Sequence, residues 1–576
     1  MLKGIAASDG IGIGKAFIIK PQTLSYNPRT VTDTEAETER FNNAVDEFCG
    51  ETEVKVEALR KNSENIDADI ISGHISMARD PYMLDEVRRL IREGKCAESA
   101  FETICDNFIA VFSSAEEDII RQRAADMKDV KAGVLRCLLG IKEMDPDCIP
   151  EGAVIVAREL TPSMTAGMKK ENIAAMITET GSSTSHCAII ARLFEIPSVM
   201  SIAGLMRKVN DGDMIICDGT SGEVFVSPDE GTLKSYTEKR DELIRIKNEL
   251  EPFRGLPTRC KSGRTFRLMC NIGSPDDVRR ALDADCEGVG LFRTEFMFMN
   301  RNTLPTEEQQ FEEYKKTALM LNHKPLVIRT IDIGGDKDIP YMGLEKENNP
   351  YMGCRAVRYC LKMPSVFKAQ IRAILRAGAF GNVSMLIPMI TCEEELLECK
   401  KMIQTAKDEL KAENEQFDPD MKVGVMIETA SAAVIADILA EECDFFSIGS
   451  NDLTGYTMCC DRGNSSVDHL YSPFQPGVLR LIKHTIDCAK KKGIPVELCG
   501  EAAAYPMMIP LLISYGLDSF SVSPPSVLKV RHLIDGWDEE QTHEISDHVN
   551  SLRSCTRIIE YLSDVTNNKI IFRDIT

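Results

Sequence analysis

Several side chains in this sequence are of kinds that do chemistry, and many stand at one kind of position, directly after a short apolar run. Arg293 in GVGLFRTEF, Arg329 in LVIRTID and Arg462 in the later CDRGN segment carry planar, permanently charged forks that suit phosphate or carboxylate. Glu428 closes GVMIE, and Asn451 and Asp452 close FFSIGSND. The two carboxylates are hard oxygen ligands that suit Mg2+ bridged to a substrate phosphate, or else ion pairs with the arginines. Cys499 follows PVEL and precedes Gly500 and Glu501. It reads as a buried filler, a nucleophile or a proton donor. With Asn271 closing RLMCN, six such ends, mixing arginines, carboxylates, amides and a thiol, point to an anion-handling site more than to the ordinary polarity of loops.

A second constellation, GSSTSHCAIIARLFEIP, follows the apolar run Ile173–Thr178. Gly181 permits a tight turn, and Ser183, Thr184 or Ser185 can cap a helix starting near His186. His186 then lies in the first helical turn. Unpaired amides and the positive helix end favour an anion there, and they lower the imidazole pKa so that a ring nitrogen stays nucleophilic. The plainer alternative is a locally hydrogen-bonded histidine. His74, His323, His469 and His484 lack such a setting and read as structural or surface residues.

These groups need a scaffold. Eight apolar runs alternate with helical stretches: Arg267–Ile272, Gly288–Glu295, Pro325–Asp332, Ser384–Met389, Lys422–Glu428, Phe445–Asp452, Pro495–Glu501 and Ser519–Ser523. Strands this apolar have both faces of a parallel sheet buried. Eight such units over about 320 residues predict a (β/α)8 barrel, whose catalytic groups gather at the C-terminal strand ends, with a doubly wound sheet as the alternative. Upstream, Gly4 to Ile19 reads as strands with tight turns. Phe41, Ala44, Val45 and Phe48 form a helical stripe that opens a unit of four or five helices. Strand patterns return at Ala153–Val156 and Ile173–Thr178, and Met214–Cys217 and Glu223–Val226 flank a DGTSG turn as a hairpin. The predicted organisation is α/β and multidomain: 1–24 with 145–227 as a discontinuous α/β domain, 25–144 as an all-helical insert, 228–257 as a polar linker helix, and 258–576 as the barrel.

The 576 residues carry a formal net charge of −22, from 68 Lys+Arg against 90 Asp+Glu. That balance argues against a general nucleic-acid binder, which needs a basic surface. No apolar run approaches the roughly 18 residues of a membrane span, and MLKGIAASDG does not read as a secretory signal. The 20 cysteines are scattered and form no CxxC pair, so they read as reduced thiols in a cytoplasmic protein.

Together these segments resemble enzyme I of the bacterial sugar phosphotransferase system, the phosphoenolpyruvate–protein phosphotransferase family. The resemblance spans essentially the whole chain and keeps its order: GIAASDGIGIGKA, TSHCAIIAR, GVGLFRTEFMF, IRTIDIGGDK, NPYMGCRAVR, IETASA, FFSIGSNDLTGYTMCCDRGN and ELCGEAA. It implies a swivelling α/β phosphohistidine domain with a helical insert, followed by a phosphoenolpyruvate-binding (β/α)8 barrel. It implies that His186 carries the phosphoryl group on Nε2, with Thr165 hydrogen-bonding near it. Arg293, Arg329, Asn451, Asp452 and Arg462 would hold phosphoenolpyruvate, with Arg355 supporting the phosphate site. Glu428 and Asp452 would ligate Mg2+, and Cys499 would protonate the enolate as pyruvate forms. The helical insert would dock a small histidine-containing phosphocarrier protein, and the barrel would form a homodimer. Two departures stand out: Ser182 follows Gly181 where the family often has a second glycine, and Gly455 stands where it commonly has Gln. Neither removes a reacting group.

Two other readings share parts of this pattern. A pyruvate, phosphate dikinase-like enzyme needs a nucleotide-binding domain of several hundred residues, and no GxxxxGK[ST] occurs. A regulatory barrel that only senses phosphoenolpyruvate would be favoured by a missing reacting group, yet all are present. The start of the phosphohistidine segment at Gly4 argues against the nitrogen-related paralogue with its extra sensory domain.

Overall fold

A computed structural model describes the chain apart from residues 20–23, 62–64, 114–117, 142–147, 166–167, 183–184, 300, 335–338, 345–346, 462–463, 465 and 568–576. It divides into two compact units, Met1–Arg245 and Ile246–Thr576.

The first unit is built on an eight-stranded sheet: β1 (Leu2–Lys3), β2 (Ile5–Ser8), β3 (Ile11–Ile19), β4 (Ala153–Ala157), β5 (Ile173–Thr178), β6 (Ser198–Met200), β7 (Met214–Asp218) and β8 (Glu223–Val226), in the order β1-β8-β7-β3-β4-β5-β6-β2. Strands from the first 19 residues therefore belong to the same sheet as strands after residue 152. Strands β3, β4 and β5 run parallel, and β7 and β8 form the hairpin. The glycines of the GIGIG opening are steric: a Cβ at Gly12 would run into the carbonyl of Ala174. Ile155 and Met176 pack into one buried cluster of this sheet, Val154 and Ile177 into another.

Among the described residues, five α-helices are inserted between β3 and β4: α1 (Thr34–Lys61), α2 (Asn65–Ala78), α3 (Pro81–Arg92), α4 (Ala97–Ser113) and α5 (Asp118–Leu138). They form because apolar residues recur at helical spacing. Phe41, Ala44, Val45 and Phe48 are all buried in one core with Val87, Phe101 and Val130. Asp80 caps α3 by accepting from Met83 N at 2.8 Å, with Pro81 at the first helical position. Three short helices follow in the sheet region, α6 (Pro162–Thr165), α7 (His186–Leu193) and α8 (Leu205–Lys208), and then the polar α9 (Glu230–Leu250), whose one buried residue is Leu250.

The second unit holds a closed barrel of eight parallel strands: β9 (Arg267–Ile272), β10 (Val289–Arg293), β11 (Leu326–Arg329), β12 (Val383–Ile387), β13 (Val423–Ile427), β14 (Phe445–Ile448), β15 (Val496–Leu498) and β16 (Ser519–Val522). Closure comes from pairing of β16 with β9, which removes the doubly wound alternative. Residues such as Leu268, Cys270, Val425 and Ile427 point outward into the layer packed by the helices, while Leu291, Val327, Leu386, Met426, Phe445 and Cys499 form a separate inner cluster.

Candidate active site

The C-terminal end of the barrel gathers the charged groups. Arg329 is the last residue of β11 and is buried. Its Nη2 lies 2.9 Å from Glu295 Oε1, and its Nη1 lies 3.2 Å from Asp332 Oδ2. Arg355 donates from Nη2 to both oxygens of Asp332 at 2.9 and 3.0 Å, and from Nη1 to the Tyr456 hydroxyl at 3.1 Å. Burial alone would disfavour the Arg329 cation, but the carboxylates of Glu295 and Asp332 more than offset it and raise its pKa. Arg329 Nε is buried with no partner among the described residues, a donor free for an anion.

Glu428 directly follows β13 and is almost fully buried. Its Oε1 accepts from Met389 N at 2.7 Å. Burial, then repulsion from Asp452 and Asp332, raises its pKa to about 8, against the pull of Arg329 and Arg355. Asp452 is partly exposed, with Arg355 Nη1 at 3.5 Å. The ion-pair alternative thus holds for Asp452; Glu428 instead receives a backbone amide. Among the described residues no cluster of three His, Cys, Asp or Glu could cage a metal. The neighbouring carboxyls of Glu428 and Asp452, which repel one another, are nonetheless hard oxygen donors of the kind Mg2+ uses when substrate oxygens complete its shell.

Asn451 and Asp452 do not close strand six as the sequence predicts. β14 stops at Ile448, Gly449 N donates to Ile427 O at 3.1 Å, and the chain turns at once into helix Ser450–Met458. Gly449 is required there, since a Cβ would stand 2.9 Å from Glu428 Cβ and Oε2. Asn451 is engaged with Glu501: its Nδ2 donates to Oε1 at 3.2 Å, and its Oδ1 accepts from Glu501 N at 3.1 Å. β15 likewise ends earlier than predicted, at Leu498, leaving Cys499 in the bend and Glu501 in a 3-10 turn. Arg293 ends β10 exposed, and Arg462 lies outside the described residues.

Cys499 is 2% exposed inside the barrel. Burial first, then the charge of Glu497, pushes its thiol up to about 12, with Ser447 and Arg329 pulling the other way. At neutral pH it is therefore a thiol. Of the three roles left open by the sequence, thiolate nucleophile is the one this environment disfavours.

Ser447 Oγ contacts Cys499 Sγ at 3.2 Å and Glu497 Oε1 at 3.0 Å. Neither Ser447 nor Glu497 is singled out by the sequence, because each sits inside a short strand rather than at its end. The clamp residues Glu295 and Asp332 were visible as strand-end residues, but their grip on the arginines was not.

In the first unit, Ser185 is the residue that caps α7, its Oγ accepting from Ala188 N at 3.4 Å. The same hydroxyl donates to Ser182 O at 2.8 Å. Gly181 has φ +121°, the left-handed region the turn demands. His186 is the first residue of α7, as predicted; its side chain, and residues Ser183 and Thr184, lie outside what is described. Thr165 ends α6 buried, its hydroxyl donating to Thr161 O at 3.3 Å.

Three family models match the chain: PEP-utilising enzyme, N-terminal, over residues 3–123; PEP-utilising enzyme, mobile domain, over 149–222; and PEP-utilising enzyme, PEP-binding domain, over 247–538. The chain is 38% identical over 572 residues to the phosphoenolpyruvate-protein phosphotransferase of Staphylococcus carnosus, covering 98% of this chain and 99% of that one. It is 40% identical over 562 residues to the protein of that name from Priestia megaterium, covering 97% and 98%. A solution structure of Enzyme I (nEIt) is similar at 35% identity and a TM-score of 0.39, over 42% of this chain and 99% of that one.

Proposed function

The chain belongs to the phosphoenolpyruvate–protein phosphotransferase family, and from that premise we propose that it moves the phosphoryl group of phosphoenolpyruvate to His186 Nε2 and then to a histidine of a small phosphocarrier protein, releasing pyruvate. The observation that carries this reading is the convergence at one barrel end of the Arg329–Asp332–Arg355 cluster, the Glu428–Asp452 pair and a protonated Cys499. Relatives of a single name that match nearly end to end weigh against the dikinase-like and sensor readings.

Arg329 and Arg355, with Arg293, Asn451 and Arg462, bind the phosphate and carboxylate of the substrate. Glu428 and Asp452 would hold Mg2+, which when bound supplies positive charge against the transferring phosphoryl group. Catalysis here is mostly positioning and electrostatics. His186 attacks in line, and Cys499 gives its proton to the enolate carbon. The helical insert, residues 25–144, takes the carrier; 1–24 with 145–227 carries His186; 258–576 binds the substrate; and 228–257, which contains α9, connects them. A homodimer through the barrel rests on the family alone. The 20 cysteines, scattered as thiols, support a reducing, cytoplasmic setting; no described helix is long and apolar enough to cross a membrane.

The test is phosphoenolpyruvate labelled in its phosphate, with Mg2+, on His186→Ala. Loss of protein labelling is expected, and persistent labelling would sink the assignment.

A further inference from the structure

Glu497 is the middle residue of β15 and, two residues before Cys499, faces the same barrel interior. It is 7% exposed. Ser447 Oγ lies between the two, 3.0 Å from Glu497 Oε1 and 3.2 Å from Cys499 Sγ. A hydroxyl owns one hydrogen, so Ser447 donates to one of these atoms and accepts from the other. Cys499 Sγ has another contact at 3.6 Å, the carbonyl of Ile448, which can only accept. With the thiol hydrogen directed there, the contacts form a chain of one sense: Glu497 O–H to Ser447 Oγ, Ser447 O–H to Cys499 Sγ, Cys499 S–H to Ile448 O. Burial raises the Glu497 pKa to about 8, so the carboxyl holds the required proton at neutral pH.

The surroundings suit a proton path. Gly290 leaves room for the carboxyl, since a Cβ there would stand 2.8 Å from Glu497 Oε2 and 2.5 Å from Ser521 Oγ. Ser521 is itself turned to Asn271 Oδ1 at 2.7 Å. The charged groups acting on the thiol are Glu497, Arg329 and Glu428. Ser519, the cross-strand partner of Glu497, lines an open cavity of about 930 Å³ with Arg267, Lys324, Pro495 and Asp518, at the N-terminal ends of the strands. The chain of contacts thus runs from the substrate end of the barrel toward solvent at the other.

We propose that Glu497 is a positioning residue that returns a proton to Cys499 through Ser447 after each turnover. This rests on the reading of Cys499 as the proton donor. The Cys499 S–H bond breaks as a C–H bond forms on the enolate carbon, giving pyruvate and a thiolate. The thiolate takes the Ser447 proton, and the Ser447 oxygen takes the Glu497 proton. The resulting carboxylate recovers its proton from water. One proton passes from water to the pyruvate methyl group, and nothing is oxidised or reduced.

The experiment uses the full chain with Mg2+, phosphoenolpyruvate and carbon-labelled pyruvate in D2O. Carbon exchange between pyruvate and phosphoenolpyruvate counts reversals of the reaction, while deuterium in the pyruvate methyl group counts exchange of the thiol proton with solvent. Glu497→Gln and Ser447→Ala are each expected to lower deuterium gained per carbon exchange at least tenfold. A wild-type ratio in both variants overturns the relay. So does a parallel fall of both exchanges that leaves the ratio unchanged, since that marks a merely structural role. Cys499→Ala separates the underlying reading: it should abolish carbon exchange, and wild-type carbon exchange in that variant removes Cys499 as the donor and the relay with it.

Discussion

Asp332 holds Arg355 with both carboxylate oxygens, Nη2 lying 2.9 Å from Oδ1 and 3.0 Å from Oδ2. The same carboxylate stands 3.2 Å from Arg329 Nη1, so one buried anion fixes two buried cations. Removing one member of such a cluster leaves uncompensated charge, at a cost of about 3–5 kcal/mol. Asp332→Ala is therefore expected to lower the melting temperature of the barrel by about 5 °C and to raise KM for phosphoenolpyruvate. Calorimetry and steady-state kinetics check this, and an unchanged melting temperature would show that the arginines stand without Asp332.

The barrel was legible because its strands are apolar on both faces, and Arg267–Ile272 was placed to the residue. Strand six was overextended because FFSIGSND stays apolar or small past Ile448, and only packing shows that Gly449 breaks the strand above Glu428. His186 was legible because a cap and a turn glycine are local signals. The clamp of Asp332 was not, since Arg355 is 23 residues away and its orientation is set by tertiary contact. Glu497 and Ser447 carried one faint signal: Glu497 is a charged residue in a short apolar strand at a two-residue offset from Cys499. Which face of the strand turns inward depends on register, which no single run reveals.

Gly449→Ala tests how tightly strand six abuts the carboxylate pair. The added Cβ would stand 2.9 Å from Glu428 Cβ, closer than real contacts allow, and the facing atoms belong to a buried side chain held by Met389 N. A destabilisation of about 1–3 kcal/mol is expected, with a higher Mg2+ concentration needed for half-maximal activity. Thermal unfolding and a Mg2+ titration of pyruvate formation measure it. An unchanged Mg2+ requirement would separate Gly449 from the carboxylate site.

Ser185→Ala removes the side-chain cap of α7 while leaving His186 in place. Loss of an N-cap costs about 1 kcal/mol, and α7 is only eight residues long. Fraying at its first turn moves His186, the residue proposed to carry the phosphoryl group. Slower labelling of the protein by phosphoenolpyruvate is expected, with KM for phosphoenolpyruvate unaltered because the proposed substrate contacts lie on the barrel. Ser185→Asp, which can also accept from the helix amides, is expected to restore stability but not rate, as its charge faces an incoming phosphoryl group.

Glu497 gives the barrel a pH-dependent stability of definite sign. Its carboxyl is raised from 4.5 to about 8 in the folded chain, burial being the main cause. Between those values the fold keeps a proton that the unfolded chain releases. The contribution is therefore fully present below about 4.5 and is lost as pH rises through about 8, amounting to a few kcal/mol at most. The melting temperature of the wild-type barrel should fall between pH 6 and 9 more steeply than that of Glu497→Gln, whose amide does not titrate. Glu428 titrates in the same window in both proteins, so the difference between the two curves isolates Glu497. Parallel curves would mean that Glu497 does not change protonation there, and the neutral carboxyl at the head of the Ser447–Cys499 chain would be lost with it.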